Sequence, residues 1–104
     1  MRVKSAEAVV EDLRAHDLLD LVEDVRRRRG VPLTELCGKS RTQNVTAARQ
    51  EVWWRIRYYP ERSYSLSEIA RLFGRDHTTV RSGLLTYQRR QLEPVASSDN
   101  RAKR

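Results

Sequence analysis

The stretch LSEIARLFGRDHTTV, Leu66–Val80, decides the fold of this chain. Ser65 and Glu68 have the spacing of a capping box, and the apolar residues that follow repeat at helical intervals. Gly74 supplies a turn, and a second helix then opens with small polar side chains. This order predicts a helix-turn-helix, because the second helix of that motif enters the major groove of DNA with short hydrogen-bonding residues at its N-terminus.

Apolar residues at helical spacing also precede this stretch and predict further helices. Asp17 is expected to cap a helix that ends at Gly30. Asn44 is expected to cap a longer helix that Pro60 stops. The predicted fold class is therefore all-α, a bundle of five or six helices that contains a helix-turn-helix.

The 104-residue chain carries a net charge of +7, and this charge is unevenly distributed. Residues 1–38 have a net charge of −1, residues 39–93 of +6 and residues 94–104 of +2. The basic middle segment favours an anionic partner, and it contains the helix-turn-helix. We therefore expect an N-terminal helical extension (1–16), a DNA-binding domain (17–93) and a disordered basic tail (94–104).

Other classes of protein are disfavoured by the composition. The single cysteine, Cys37, forms no intrachain disulfide and favours a reducing, cytoplasmic compartment. One cysteine and two histidines do not make a usual structural zinc site, and we expect neither a metal nor another cofactor. We also expect no signal peptide and no membrane span. Asp76, His77 and Ser82 do not predict an enzyme, because adjacent residues on a helix point in different directions.

Polar residues at the start of the second helix are candidates for DNA contact. Asp76 can cap the helix or accept a hydrogen bond from cytosine N4, and His77 can donate to a base acceptor. Thr78 suits a thymine, whereas Thr79 and the first backbone N–H groups suit a phosphate. The alternative is an ordinary helix start, since Asp-x-Thr-Thr would cap any helix.

Basic residues around the motif are candidates for holding the DNA backbone. The loop Lys39–Gln43 can reach a minor groove through Arg41, as homeodomain arms do, and a solvated surface loop is the alternative. The run Arg26–Arg29 either caps and solvates the end of its helix or contacts phosphate. The residues expected to contact phosphate are Lys39, Arg49, Gln50, Arg57, Arg75, Thr79 and Arg81.

The long middle helix is also rich in aromatic side chains, with Trp53, Trp54, Tyr58 and Tyr59 close together. Core packing is expected to use part of this set. An exposed remainder would form a protein contact or stack on single-stranded bases.

Three blocks of the sequence resemble the DNA-binding C-terminal domain of the bacterial replication initiator DnaA. The run Arg75–Val80, RDHTTV, looks like the hallmark of that family. The pair Arg49-Gln50 and the loop Gly38–Arg41 resemble its Arg-Gln pair and its basic loop. The resemblance extends over residues 18–92 and implies a Trp-repressor-like arrangement of helices.

The resemblance also implies roles for individual residues, because the family domain reads a duplex element, the DnaA box. Asp76, His77 and Thr78 would read bases in the major groove, and Arg41 would enter the minor groove. The backbone contacts implied are those of Arg49, Gln50, Arg57 and Thr79.

The chain departs from the family pattern at several points. It has one glycine, Gly74, before Arg-Asp-His where the family usually has two, and Pro60–Tyr64 is longer than the matching turn. Gln43 and Ala47 stand where the family is often basic. The sequence contains no Gly-x-x-x-x-Gly-Lys-Ser/Thr loop, so we expect no ATPase module.

The sequence therefore predicts a sequence-specific protein that binds double-stranded DNA, associates with the nucleoid and regulates transcription or replication. No small-molecule substrate is expected. The alternative is a protein-interaction or dimerisation module, with DNA binding auxiliary. In that case the acidic N-terminal helix would dock a partner or a second copy through a stripe of Val9, Val10 and Leu13.

Overall fold

The computed structural model describes residues 4–92, and the tail predicted at 94–104 lies outside the described residues. Within them the chain forms six α-helices and no strand, which confirms the all-α class. The helices are α1 (Ala6–Ala15), α2 (Leu19–Arg29), α3 (Leu33–Leu36), α4 (Gln43–Arg57), α5 (Leu66–Phe73) and α6 (His77–Leu92).

Helix α4 is the centre of the bundle, because it packs against α2, α3, α5 and α6. Val52 and Ile56 of α4 are fully buried, as are Ile69 of α5 and Val80 of α6. These apolar contacts hold α5 and α6, the two helices of the helix-turn-helix, on a common support.

Helix α1 is part of this core. Val9 and Leu13 are fully buried, and Val10 packs against the same cluster. The expected docking stripe is therefore corrected: two of its three residues, Val9 and Leu13, are buried within the bundle, where α1 packs against α2, α3 and α5, and are not available to a partner. The hydrophobic effect explains why Val9 and Leu13 are buried within the bundle, since burying each such side chain stabilises the fold by about 1.5–3 kcal/mol.

The role expected of Asp17 as a helix N-cap is wrong. Asp17 has a left-handed backbone with φ of 63° and ends α1 instead. Its N–H donates to the Arg14 carbonyl at 3.1 Å, and the next N–H, that of Leu18, donates to the Leu13 carbonyl at 2.8 Å. This is the hydrogen-bond pattern of a Schellman C-cap, and aspartate tolerates its left-handed position better than most residues.

Asn44 also has a different capping role from the expected one. Helix α4 begins at Gln43 with Thr42 at the cap position, where the Thr42 hydroxyl pairs with Ser40 Oγ at 3.2 Å. Asn44 lies in the first turn, and its side-chain amide donates to the Arg29 carbonyl at 3.0 Å. The amide thus satisfies a terminal carbonyl of α2 across the interface between the two helices.

The arginine run at the end of α2 is tied to α4 through a buried carboxylate. Glu51 is 6% exposed, and its two oxygens accept from Arg28 Nη2 at 2.6 Å and from Arg29 Nε at 2.8 Å. Arg26 pairs with Glu23 within α2 at 2.9 Å. Arg27 Nε also lies 3.9 Å from Glu23 Oε1, so all four arginines take part in ion pairs of the bundle itself.

The aromatic residues of α4 divide between core and surface. Trp53 is 3% exposed, whereas Tyr58 is 57% exposed. Trp54 is half-buried and lies between two tyrosines, with ring centroids 4.7 Å from Tyr58 and 5.5 Å from Tyr87. Core packing thus explains Trp53, and a mixed aromatic cluster at the surface explains Trp54.

Candidate nucleic-acid interface

The turn between α5 and α6 has the geometry of a helix-turn-helix. Ser65 Oγ accepts from the Glu68 N–H at 3.1 Å and Glu68 Oε1 accepts from the Ser65 N–H at 2.8 Å, which confirms the capping box. Gly74 ends α5 with φ of 64°, and its N–H donates to the Arg71 carbonyl at 3.3 Å. The positive φ favours glycine, because a Cβ is disfavoured in the left-handed region.

Helix α6 opens with three exposed polar residues, Asp76, His77 and Thr78. The Asp76 carboxylate accepts from the Thr79 N–H at 2.9 Å, which caps the helix. That backbone hydrogen bond lowers the pKa of Asp76 below its ordinary value, so the carboxylate is ionised at neutral pH. One of its oxygens makes the cap, and the exposed remainder of the group is free to accept from a ligand.

An open cleft of about 380 Å³ lies between α4, α6 and the loop that precedes α4. Six of the predicted DNA-contacting residues line it: Arg41, Arg49, Gln50, Arg75, Thr78 and Thr79. Six further residues complete the lining: Ser40, Thr46, Trp53, Ser82, Gly83 and Thr86. Among the described residues, none of the side chains on this cleft is acidic. Three arginines and a set of hydroxyl groups therefore face one concave surface without a carboxylate to neutralise them.

The hydroxyl residues Thr46, Ser82 and Thr86 were missed as candidates by sequence reasoning. Thr79, Ser82 and Thr86 follow one another at intervals of three and four on α6, and Thr46 approaches from α4. The sequence signal was present as a polar stripe at helical spacing. Its meaning depends on the packing of α4 against α6, which places that stripe on the same cleft as the basic loop.

Five predicted contact residues lie away from the cleft. Asp76 and His77 are at the exposed start of α6, and Lys39 and Arg81 are exposed on the surface. Arg57 lies elsewhere on α4, where its Nη1 donates to the Tyr64 carbonyl at 2.9 Å. The structure thus brings the α6 start, the basic loop and the first half of α4 together, and does not place Arg57 in the same cleft.

Arg49 is buried and has a structural function. It is 3% exposed, and its guanidinium donates to the Leu36, Ser40 and Glu35 carbonyls at 3.0, 3.1 and 2.9 Å. Burial, with the nearby Arg75 charge, lowers the pKa of Arg49 to about 10. These bonds fix the loop that carries Arg41, and a phosphate contact by the remaining N–H groups stays a prediction.

Gly83 allows α6 to lie close to the floor of the cleft. A Cβ at Gly83 would be 2.7 Å from Cζ3 and 2.8 Å from Cε3 of Trp53. The indole of Trp53 therefore occupies the space that a larger residue on α6 would need. This close approach sets the distance between the two helices that form the walls of the cleft.

Three buried polar atoms on cleft residues have no hydrogen-bond partner within residues 4–92: Gln50 Oε1, Trp53 Nε1 and Arg75 Nη1. A buried polar group without a partner is unfavourable by about 1–3 kcal/mol, so such atoms are few in folded proteins. All three atoms lie on the same cleft, where a polar ligand would satisfy them.

Among residues 4–92, no helix has both the length and the apolar character to cross a membrane. In the same part of the chain, no group of three or more histidine, cysteine or acidic residues is placed to hold a metal ion.

The fold and the basic cleft together define a helix-turn-helix domain of the DNA-binding class. The family model described as the bacterial DnaA protein helix-turn-helix matches residues 20–85, more than half of the chain. The chain belongs to this family.

Curated relatives of the chain include the chromosomal replication initiator protein DnaA from two strains of Tropheryma whipplei, Twist and TW08/27. Each is 29% identical over 101 residues, which cover 92% of this chain and 20% of the relative. The chain thus spans about a fifth of the length of these relatives. No solved structure matches it significantly.

Proposed function

We propose that this protein binds double-stranded DNA in a sequence-specific manner and reads a site like the DnaA box. In this proposal the start of α6 enters the major groove and the loop that carries Arg41 enters the adjacent minor groove. The protein would act in the cytoplasm, on the nucleoid, as a regulator of transcription or replication without ATPase or other enzymatic activity. The observation that carries the proposal is the arginine-lined, carboxylate-free cleft beside the exposed start of α6.

The bases would be read by exposed side chains. Asp76, His77 and Thr78 are exposed at the N-terminus of α6, where a recognition helix meets base edges. Asp76 is suited to cytosine N4, and His77 and Thr78 to base acceptors or a thymine methyl. Arg41 is exposed on a loop whose Ser40 carbonyl accepts from Arg49, and this bond would hold the loop backbone near α6 before DNA binds.

The cleft is suited to the DNA backbone. Phosphate oxygens accept hydrogen bonds and carry charge, so they match a surface of guanidinium and hydroxyl groups. Arg75 and Thr79 supply such donors at the start of α6, and Gln50 supplies an amide from α4. Lys39, Arg57 and Arg81 would add contacts outside the cleft. These contacts would set the register of α6 on the duplex without carrying sequence information.

The test is a binding titration followed by fluorescence anisotropy, with one duplex that contains a DnaA box and one of the same composition with the box scrambled. We expect tighter binding to the box, and selection from a random duplex pool should return a related sequence. Absence of binding to any duplex at low salt would refute the proposal. Equal binding to both duplexes would remove the claim of specific recognition.

The names of the relatives bear on the biological setting. They are called chromosomal replication initiators, and this chain matches about a fifth of their length. We propose that the chain competes for, or cooperates at, the sites that such initiators bind. Displacement of a full-length initiator from a box duplex by this protein would support that role, and simultaneous binding to separate boxes would support cooperation.

A further inference from the structure

Lys4 connects the N-terminal segment to the turn of the helix-turn-helix. Its ammonium donates to the Arg71 carbonyl at 2.9 Å and to the Leu72 carbonyl at 2.9 Å, and it forms an ion pair with Asp12 of α1. The Lys4 side chain is only 19% exposed. A cation on the last carbonyls of a helix is favourable, because those groups lack partners in the helix and carry the negative end of its dipole.

The aliphatic part of Lys4 packs on the turn itself. A Cβ added at Gly74 would overlap Lys4 Cβ and would come within 3.2 Å of its Cδ. Glycine is therefore needed at position 74 for two reasons: the backbone has a left-handed φ, and the Lys4 side chain lies too close for a Cβ. The carbonyl of Arg71 receives the Gly74 N–H as well as the Lys4 ammonium, so one acceptor joins the turn to the N-terminal segment.

We propose that Lys4 is a positioning residue for DNA recognition. Its bonds to the last carbonyls of α5 hold the turn between α5 and α6 in place. Through that turn, Lys4 sets the angle at which the start of α6 meets the duplex. This inference rests on the proposed DNA binding. Lys4 lies before residues 20–85, the part of the chain that the family model matches.

The main experiment compares full-length wild type with Lys4→Met. Methionine keeps an unbranched apolar side chain against Gly74 and removes all three donors of the ammonium. We expect the amides of Gly74 and Arg75 to exchange faster with deuterium in the free variant. We also expect its preference for the box duplex over the scrambled duplex to fall about fivefold to tenfold, which corresponds to about 1–1.4 kcal/mol.

The dependence of affinity on salt separates positioning from direct contact. Lys4 is assigned no phosphate, so the slope of log affinity against log salt should stay the same in Lys4→Met. If Lys4 contacted a phosphate directly, the slope for Lys4→Met would be less steep by about 0.9, and this result would overturn the proposal. Faster exchange with unchanged discrimination would reduce Lys4 to a stabilising contact and would also overturn it.

Two variants control for charge and for stability. Arg14→Met also removes one cation from the N-terminal region, but Arg14 pairs with Glu11 within α1 and is 58% exposed, so neither readout should change. Lys4→Arg keeps a cationic donor and should restore most of the discrimination. If Lys4→Met does not fold, Asp12→Asn removes the ion pair to α1 and leaves the bonds of Lys4 to the turn in place. It should shift both readouts in the same direction by a smaller amount. Unchanged readouts in that variant would contradict the positioning role of Lys4.

The exchange measurement is made without DNA, so the two hypotheses fail in different ways. If wild type binds no duplex, the proposed function fails, whatever Lys4→Met does to the turn. If wild type discriminates between the duplexes and Lys4→Met discriminates equally well, the proposed function stands and the role of Lys4 is rejected.

Discussion

Arg75 lies over the indole ring of Trp53, with its guanidinium carbon 5.9 Å from the ring centroid. Both residues line the cleft between α4 and α6, and Arg75 Nη1 and Trp53 Nε1 are among the buried atoms without a partner in residues 4–92. The aromatic face holds the cation by a weak attraction, whereas a charge-assisted hydrogen bond to phosphate would be stronger. The pair is therefore arranged so that Arg75 gains a partner when an anion enters the cleft.

Arg75→Gln should weaken binding to all duplexes alike, because we propose that Arg75 contacts phosphate and not a base. We expect a loss of about fivefold to tenfold, and the negative slope of log affinity against log salt should become less steep by about 0.9. Titrations at several salt concentrations measure both. Arg14→Gln is the matched control for net charge, and a loss of equal size in that variant would show that Arg75 makes no specific contact.

His77→Ala and Arg41→Ala should each relax the preference for the box over the scrambled duplex. Each loss is expected to be about 1–3 kcal/mol if the side chain contacts a base. Both side chains are exposed, so the melting temperature of the free protein should change little. Affinity for scrambled DNA serves as the internal control, and an unchanged ratio of the two affinities would contradict base reading by that residue.

Much of the helix-turn-helix could be predicted from the sequence because its signals are local. The capping box of Ser65 and Glu68 and the turn at Gly74 involve residues at most five apart, and the structure has both. Asp17 and Asn44 were assigned to the wrong helix ends, because each lies near two: the backbone of Asp17 ends α1, and the side-chain amide of Asn44 bonds to the end of α2. The sequence alone does not show which of two nearby helix ends such a residue caps, because this depends on how α1, α2 and α4 pack.

The site was harder to predict, because its geometry depends on contacts between distant residues. The position of Arg49 in the Arg-Gln pair predicts a contact to the DNA backbone. The three bonds of Arg49 to the carbonyls of Leu36, Ser40 and Glu35 depend on how α3 and the basic loop fold back on α4. The assignment of individual base contacts remains a prediction, and it rests on which side chains are exposed at the start of α6.

Gly83→Ala should destabilise the fold despite the higher helix propensity of alanine. The new Cβ would meet the Trp53 ring at 2.7 Å, and overpacking of this kind usually costs about 1–3 kcal/mol. The gain in helix propensity, about 1 kcal/mol, offsets part of that loss. Denaturant unfolding of wild type and variant measures the difference.

The double variant Gly83→Ala with Trp53→Leu tests the cause of that loss. If the Trp53 ring is responsible, the two substitutions should be coupled by about 1 kcal/mol or more. Gly30→Ala is the control, because Gly30 has a left-handed φ of 67° and open space where a Cβ would lie. Its cost is backbone strain alone, so Trp53→Leu should not relieve it. Additive effects for Gly83 and Trp53 would contradict the steric explanation.

Glu51 should make the stability of the fold depend on acid pH. Burial opposes its ionised form, but hydrogen bonds from Arg28 and Arg29 outweigh burial and hold the pKa of Glu51 below its ordinary value of 4.5. A carboxyl whose pKa is lower in the folded state contributes stability that is fully present above the unfolded value and is lost as pH falls through the folded value. The melting temperature of wild type should therefore decrease as the pH falls below 4.5.

Glu51→Gln isolates this contribution. The variant should be less stable than wild type at neutral pH, and the two melting curves should approach each other as the pH falls, because protonated Glu51 no longer pairs with the arginines. Asp24, Glu68 and Asp76 also have lowered pKa values, so the variant should retain part of the acid dependence. Glu11→Gln removes an acid that is 70% exposed, and it should leave the profile unchanged. A constant difference between wild type and Glu51→Gln from pH 7 to pH 3 would show that the ion pair across α2 and α4 does not control the titration.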